Sequence, residues 1–144
     1  MKDSIDLTPF KHQVPLSIRF MDLDMMNHVN NARYLNYLEE ARIDYSQKIM
    51  GLFSNIEELS VVVARIEIDY ISPLFFGEEL VVYNRIFKIG EKSLQFESLI
   101  KVIGNKERIA ARAIQVLVSI NPKTGKSTAI PTNIQEKIQD FENM

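Results

Sequence analysis

The sequence predicts an α+β fold in which an antiparallel five-stranded sheet packs against one long helix. Three observations carry that expectation. Residues 30–50 hold apolar side chains three or four apart, which is the period of a helix with one buried stripe. A short alternating run before this helix and four longer runs after it have the period of two that marks a strand. The connections around Ile89-Gly90-Glu91-Lys92 and Gly104-Asn105-Lys106 are hairpin-sized and turn-rich, so the last three strands should pair antiparallel. With 144 residues, 46% of them hydrophobic, the chain is long and apolar enough to form a single domain, 1–144, around its own core.

In chain order, the residues before Pro15 show no strong period, and Pro9 and Pro15 discourage a helix, so an extended arm is expected there. From Leu16 to Met21, Leu16, Ile18 and Phe20 alternate with Ser17 and Arg19, which predicts the first strand. If that geometry persists, Asp22 and Asp24 share a side. Two close carboxylates resist simultaneous ionisation, which would raise one pKa toward neutrality. Equally, Asp22 simply hydrogen-bonds the turn.

Asn30 is a good N-cap, and Gly51 supplies a C-terminal stop for the helix. Its expected stripe is Leu35, Leu38, Ala41, Tyr45 and Ile49, with Glu39 and Glu40 turned away from the core. A polar stretch at 55–60 leads to a strand from Val61 to Ile71, ended by Ser72-Pro73. Strands at 79–88, 93–103 and 108–120 follow, then an Asn121–Gly125 turn and a short helix at 133–141. The 61–71 strand is expected at a sheet edge, where its length invites pairing with a second copy.

Composition excludes several function classes. A net charge of −2 and a pI near 5.7 provide no basic field, so nucleic acid is not an expected partner. The first residues lack a continuous apolar run, which argues against a signal peptide or membrane insertion, and a cytoplasmic location is expected by default. Without cysteine there is no disulfide, thiol nucleophile or thiolate-bound metal, and His12 and His28 alone cannot build a multi-histidine metal site.

The candidate chemistry collects between Ile18 and Arg42. Asp22, Asp24, His28, Asn30 and Asn31 gather where the helix begins, and a helix N-terminus offers unpaired N–H groups to negative charge. Carboxylates beside oriented donors suit attack on a carbonyl, by hydrolysis or proton transfer, with no redox cofactor.

The run Phe20, Asp22, Asp24, His28, Val29, Asn30, Asn31 and Tyr34 resembles the strand-turn-helix signature of the hotdog-fold acyl thioesterases. Its nearest likeness is the branch containing 4-hydroxybenzoyl-CoA, bacterial acyl-CoA and plant acyl-carrier-protein thioesterases. The resemblance extends to ARIEIDYISPLFFGEELVV and the Ser93 region, covering most of the chain. Where the plant enzymes carry an Asn two residues after the second Asp, Met26 stands, with Asn27 only a neighbouring substitute.

The resemblance implies a hotdog fold, with the sheet wrapped around the long helix, and thioester hydrolysis on acyl-CoA or acyl carrier protein. Coenzyme A would enter as part of the substrate, and no cofactor or metal is required. Asp24 would be nucleophile or general base. His28 would orient the carbonyl or assist water, and the Asn31 N–H would face the oxyanion. It also implies a homodimer or dimer of dimers, with active sites between subunits.

Each residue also has a plainer role. Asp24 is a common turn carboxylate, His28 an ordinary half-buried histidine, and Asn30 an N-cap. Arg65, Lys92 and Ser93 are candidates for holding the phosphates or pantetheine, or else solvated strand positions. Tyr34, Leu38, Phe75 and Phe76 are candidates for an apolar acyl slot or core. Hydration or dehydration of 3-hydroxyacyl thioesters, and a binding module without turnover, stay open.

Overall fold

The computed structural model describes residues 5–52 and 59–144, so most of the polar stretch at 55–60 lies outside the described residues. The elements run β1 (His12–Ser17), a 3-10 turn (Phe20–Asp22), α1 (Asn31–Lys48), β2 (Val61–Tyr70), β3 (Glu79–Ile89), β4 (Ser93–Ile103), β5 (Arg108–Ser119) and α2 (Thr132–Glu142). The strands form one sheet in the order β1-β3-β4-β5-β2, with antiparallel pairing throughout. This is the expected α+β hotdog arrangement, with β2 at a sheet edge.

The first strand differs from expectation. It begins at His12 and pairs through Ser17 with Asn84–Glu79 of β3, so the expected extended arm supplies its first half. Pro15 is tolerated because β1 is an edge strand. Beyond Ser17 the chain turns: Asp22 N–H donates to the Arg19 carbonyl at 2.9 Å, and Phe20 is 77% exposed rather than buried. Alternation read from Leu16 onward ran through that turn.

Along α1, Asn30 Oδ1 accepts from the Ala32 N–H at 2.9 Å, the expected cap. At the other end Gly51 has φ +70, a conformation costly for a residue with a side chain. The buried face is Tyr34, Tyr37, Leu38, Ala41, Arg42 and Tyr45, while Leu35 lies exposed. Tyr34, Tyr37 and Arg42 thus join the expected Leu38, Ala41 and Tyr45 on the buried face, and the three tyrosines and the arginine each have a polar partner for the tip.

The core has two apolar compartments. One joins Tyr37, Leu38 and Ala41 to Leu80, Val82 and Ile100; the other joins Tyr45, Ile86, Phe96 and Leu117 to Ile134 and Ile138 of α2. Burying one leucine or isoleucine completely stabilises by about 2 kcal/mol. Between them a polar row crosses the helix-facing side of the sheet. Arg42 donates to Gln115, and Gln115 Nε2 donates to Ser98 Oγ at 2.7 Å. Ser98 donates to Asn84, whose amide lies 3.5 Å from His12 Nδ1, and His12 Nε2 lies 2.7 Å from Asp44 Oδ2. A buried polar row is stable only when its members satisfy one another, which these do.

Candidate active site

Three segments converge where α1 begins. The 23–29 loop closes on itself: Leu23 bridges Val29, Asp24 N–H donates to the His28 carbonyl at 2.9 Å, and Asn27 N–H donates to the Asp24 carbonyl at 3.0 Å. Asn27 sits at φ 61, a left-handed conformation that Asn adopts more readily than most residues. The loop is tied to the rest by Val29 N–H donating to Leu74 O and Asn30 N–H donating to Asp22 O, both at 2.9 Å.

Asp24 Oδ1 accepts the Met26 N–H at 2.8 Å, an Asx turn that fixes the carboxylate. Its Oδ2 accepts no bond within the described residues. The His28 ring packs edge-on against Phe75, with centroids 5.1 Å apart. Asn31 opens the helix, so its N–H is among those without an intrahelical acceptor. Tyr34 is buried, donates to Ser72 O at 3.3 Å and packs edge-on against Tyr70, whose hydroxyl donates to Asn31 O at 3.1 Å. Burial holds the Tyr34 hydroxyl above its ordinary pKa, so it stays protonated.

Asp24, Met26, His28, Asn31 and Tyr34 line one cleft of about 340 Å³, closed on the far side by Tyr70–Pro73. The strand-turn-helix run therefore meets the end of β2, and Met26 rather than Asn27 lines the cleft.

Asp22 has a different place. It is 1% exposed, and its Oδ2 accepts the Tyr37 hydroxyl at 2.6 Å and the Arg19 N–H at 3.0 Å. Burial pushes this carboxyl up, but the Tyr37 hydroxyl, the Arg19 N–H and the Arg19 and Arg33 guanidiniums outweigh it and hold the pKa below the ordinary value. Asp22 is thus not a carboxyl raised by a neighbouring Asp24. The turn at 20–22 separates the surroundings of the two residues.

Arg65, Lys92 and Ser93 are not brought to this cleft within one chain. Arg65 is exposed and pairs with Glu67. Ser93 is in register with Val118, which is in register with Val62, whereas the cleft lies at Tyr70, roughly 25 Å away along the strand. Asn30 spends its side-chain oxygen on the cap. Glu39 and Glu40 are both exposed. Sequence patterning missed Tyr70, Ile71 and Ser72 as cleft residues, because only the crossing of α1 over the end of β2 brings them there. Among the described residues, no cluster of three or more His, Asp or Glu is placed to hold a metal, and no helix is long and apolar enough to cross a membrane.

The family model of the Thioesterase-like superfamily matches residues 18–138. The chain belongs to that superfamily. This thioesterase-like chain is 30% identical over 130 residues to the long-chain acyl-CoA thioesterase FadM of Escherichia coli K12, covering 90% of this chain and 98% of FadM. It is 29% identical to the chloroplastic acyl-acyl carrier protein thioesterase ATL3 of Arabidopsis thaliana, over 90% of this chain and 68% of the relative. Among solved structures, a thioesterase of Thermus thermophilus, complexed with coenzyme A and zinc, superposes with a TM-score of 0.82 at 37% identity, covering 94% and 97% of the two chains. The chain is a thioester hydrolase of hotdog fold.

Proposed function

We propose that this chain hydrolyses an acyl-CoA thioester in the cleft at the start of α1. The observation that carries this reading is the convergence of Asp24, His28, Asn31 and Tyr34 on one cleft. Asp24 either attacks the carbonyl carbon, releasing the thiol and leaving a mixed anhydride that water opens, or takes a proton from an attacking water. In both routes the carbonyl oxygen becomes negative, and the Asn31 N–H at the positive end of α1 stabilises it. His28 polarises the carbonyl or assists the water. No metal or redox cofactor is required by these steps.

Coenzyme A is the favoured leaving group because FadM is an acyl-CoA thioesterase and the Thermus relative was solved with coenzyme A. Acyl carrier protein is the second donor, favoured by the likeness to ATL3.

The same proposal includes a homodimer built by pairing two β2 edges. In an antiparallel pair about a two-fold axis, the Val61 end of one strand lies beside the Tyr70 end of the other. Lys92 and Ser93 sit at the Val61 end of their own sheet, so such pairing would carry them toward the neighbouring cleft. They would then serve the phosphates across the interface. A cytoplasmic location is part of this proposal, and a chain free of cysteine is compatible with it.

The test is thiol release from a panel of short, long and aromatic acyl-CoAs, with Asp24→Asn in parallel. Turnover by the parent and a loss of about a hundredfold or more in the variant is expected for a lost base or nucleophile. Equal activity in both would sink the Asp24 assignment. An enoyl product instead of free thiol would move the chain to hydratase chemistry, and tight binding without turnover would make it a binding module.

A further inference from the structure

Tyr34 and Tyr70 form a reciprocal pair beside the cleft. Tyr34, on the first turn of α1, donates its hydroxyl at 3.3 Å to the carbonyl of Ser72, just past the end of β2. Tyr70, the last residue of β2, donates at 3.1 Å to the carbonyl of Asn31, the first residue of α1. Their rings meet edge-on with centroids 5.0 Å apart. Helix and strand thus each hold the other's main chain where both line the cleft. The strand side is anchored in turn: Ile71 N–H and Ser72 N–H donate to the Ala110 carbonyl at 2.8 and 3.1 Å, and Ser72 Oγ donates to the Ile109 carbonyl at 3.1 Å. Because α1 packs mainly on β3 and β1, the pair supplies a link to β2 that helix packing provides little of.

The two bonds are not equivalent. Tyr34 is 3% exposed, and its hydroxyl has to find a partner inside the protein. Tyr70 is 46% exposed, where water can serve its hydroxyl equally well. Nor does the Asn31 carbonyl need the bond, since as the first helical carbonyl it accepts the N–H of Leu35 in the ordinary ladder. The Tyr70 bond therefore rescues no stranded group; what it does is restrain the first residue of α1 from the cleft side. Neighbouring groups are restrained as well. Asn30 N–H donates to Asp22 O at 2.9 Å, Asn30 O accepts the Arg33 N–H at 2.8 Å, and Asn30 Oδ1 accepts the Ala32 N–H at 2.9 Å. The Asn31 N–H differs from these: it donates to no acceptor among the described residues, and it belongs to a residue that lines the cleft.

We propose that Tyr70 is a positioning residue for hydrolysis, its hydroxyl holding the Asn31 carbonyl so that the N–H of the same residue stays aimed at the oxyanion. The proposal rests on the role given to that N–H in the thioesterase reading. An oxyanion donor contributes fully only when it is in place before the charge develops, and misplacing a reacting or stabilising group by about 1 Å costs on the order of a hundredfold in rate. Removing one restraint of several costs less, about tenfold in kcat. Tyr70→Phe keeps the ring in the cleft wall, so KM should stay within about twofold of the parent.

The experiment is a double-mutant cycle with Asn31→Pro, using octanoyl-CoA, palmitoyl-CoA and benzoyl-CoA as substrates. Proline fits the first position of a helix and lacks the N–H in question. Asn30, at φ −61 and ψ 138, already has the extended conformation that a residue before proline adopts. Asn31→Ala controls for the lost side chain. Tyr70→Phe should lower kcat about tenfold in the parent, but by less than about twofold in Asn31→Pro, where the group being positioned is gone. A merely structural tyrosine would lower kcat by the same factor in both backgrounds, and that result overturns the proposal. So does an unchanged kcat in Tyr70→Phe alone, which decides the matter even if Asn31→Pro fails to fold. If Asn31→Pro retains the kcat of Asn31→Ala, the N–H is not the oxyanion donor and the role of Tyr70 falls with it, while turnover by the parent keeps the thioesterase reading. Binding without turnover in the parent removes that reading and the proposal together.

Discussion

Two aspartates two residues apart do different work because of what surrounds them. Asp22 is enclosed by Tyr37 and the Arg19 N–H, joining the turn before the site to the second helical turn of α1. Asp24 keeps one carboxylate oxygen without a hydrogen bond among the described residues and lines the cleft. The depressed pKa of Asp22 makes a signed prediction. Its charge stabilises the fold fully above the unfolded value, near 3.8, and that contribution is lost as pH falls through the lower folded value. Thermal unfolding of Asp22→Asn and parent should therefore differ most at neutral pH and converge as pH falls through the lowered folded value. A gap that persists unchanged into acid would mean that the carboxylate charge is not what stabilises the turn. The residue types at this site were legible in the sequence as a polar cluster before a helix. Patterning alone did not separate the two aspartates, because that depends on a 3-10 turn whose residues, Phe20 and Met21, read as strand; only the family resemblance singled out Asp24.

At the scale of elements, caps and turn residues were the dependable signals. Asn30 and Gly51 bound α1 to within a few residues, and β4 matches its expected span because turns flank it closely on both sides. Beginning β1 at Leu16 failed because a strand paired on one side at a sheet edge needs little hydrophobic alternation: His12 and Asn84 are in register there, each buried and polar. Arg42 was invisible for a related reason, since a cation within a helical stripe reads as solvated until the partner from β5 is known. The cap gives a second check at this scale. Asn30→Ala should lower stability by about 1 kcal/mol in denaturant titration, the usual cost of losing an N-cap. Were Asn30 also a substrate contact, KM would rise in addition; a capping role alone leaves KM near the parent value.

For the whole molecule, the open edge of the sheet is the feature with the largest consequence. β2 is ten residues long, pairs on one side with β5, carries a bulge between Val63 and Arg65, and exposes Val61, Val62 and Val63. Such an edge is a template for another strand unless it is covered. The double variant Val61→Lys/Val63→Lys should shift a dimer toward monomer in sedimentation. If phosphate contacts cross the interface, KM for acyl-CoA should rise together with that shift. A parent that sediments as a monomer at micromolar concentration would end the idea of shared clefts.

The polar row from Arg42 to Asp44 also bears on how this chain can diverge. Because it separates the interior into two apolar compartments, changes of side-chain volume on the cleft side, at Leu38 or Ala111, need not be absorbed by the residues under α2. Separate neighbourhoods add their mutational effects more nearly independently than one continuous core does. A lineage with this interior can change side-chain volume on the cleft side many times while Tyr45, Ile134 and Ile138 go on packing together beneath α2. The same division marks out, for an engineer, which half of the molecule to randomise and which to leave alone.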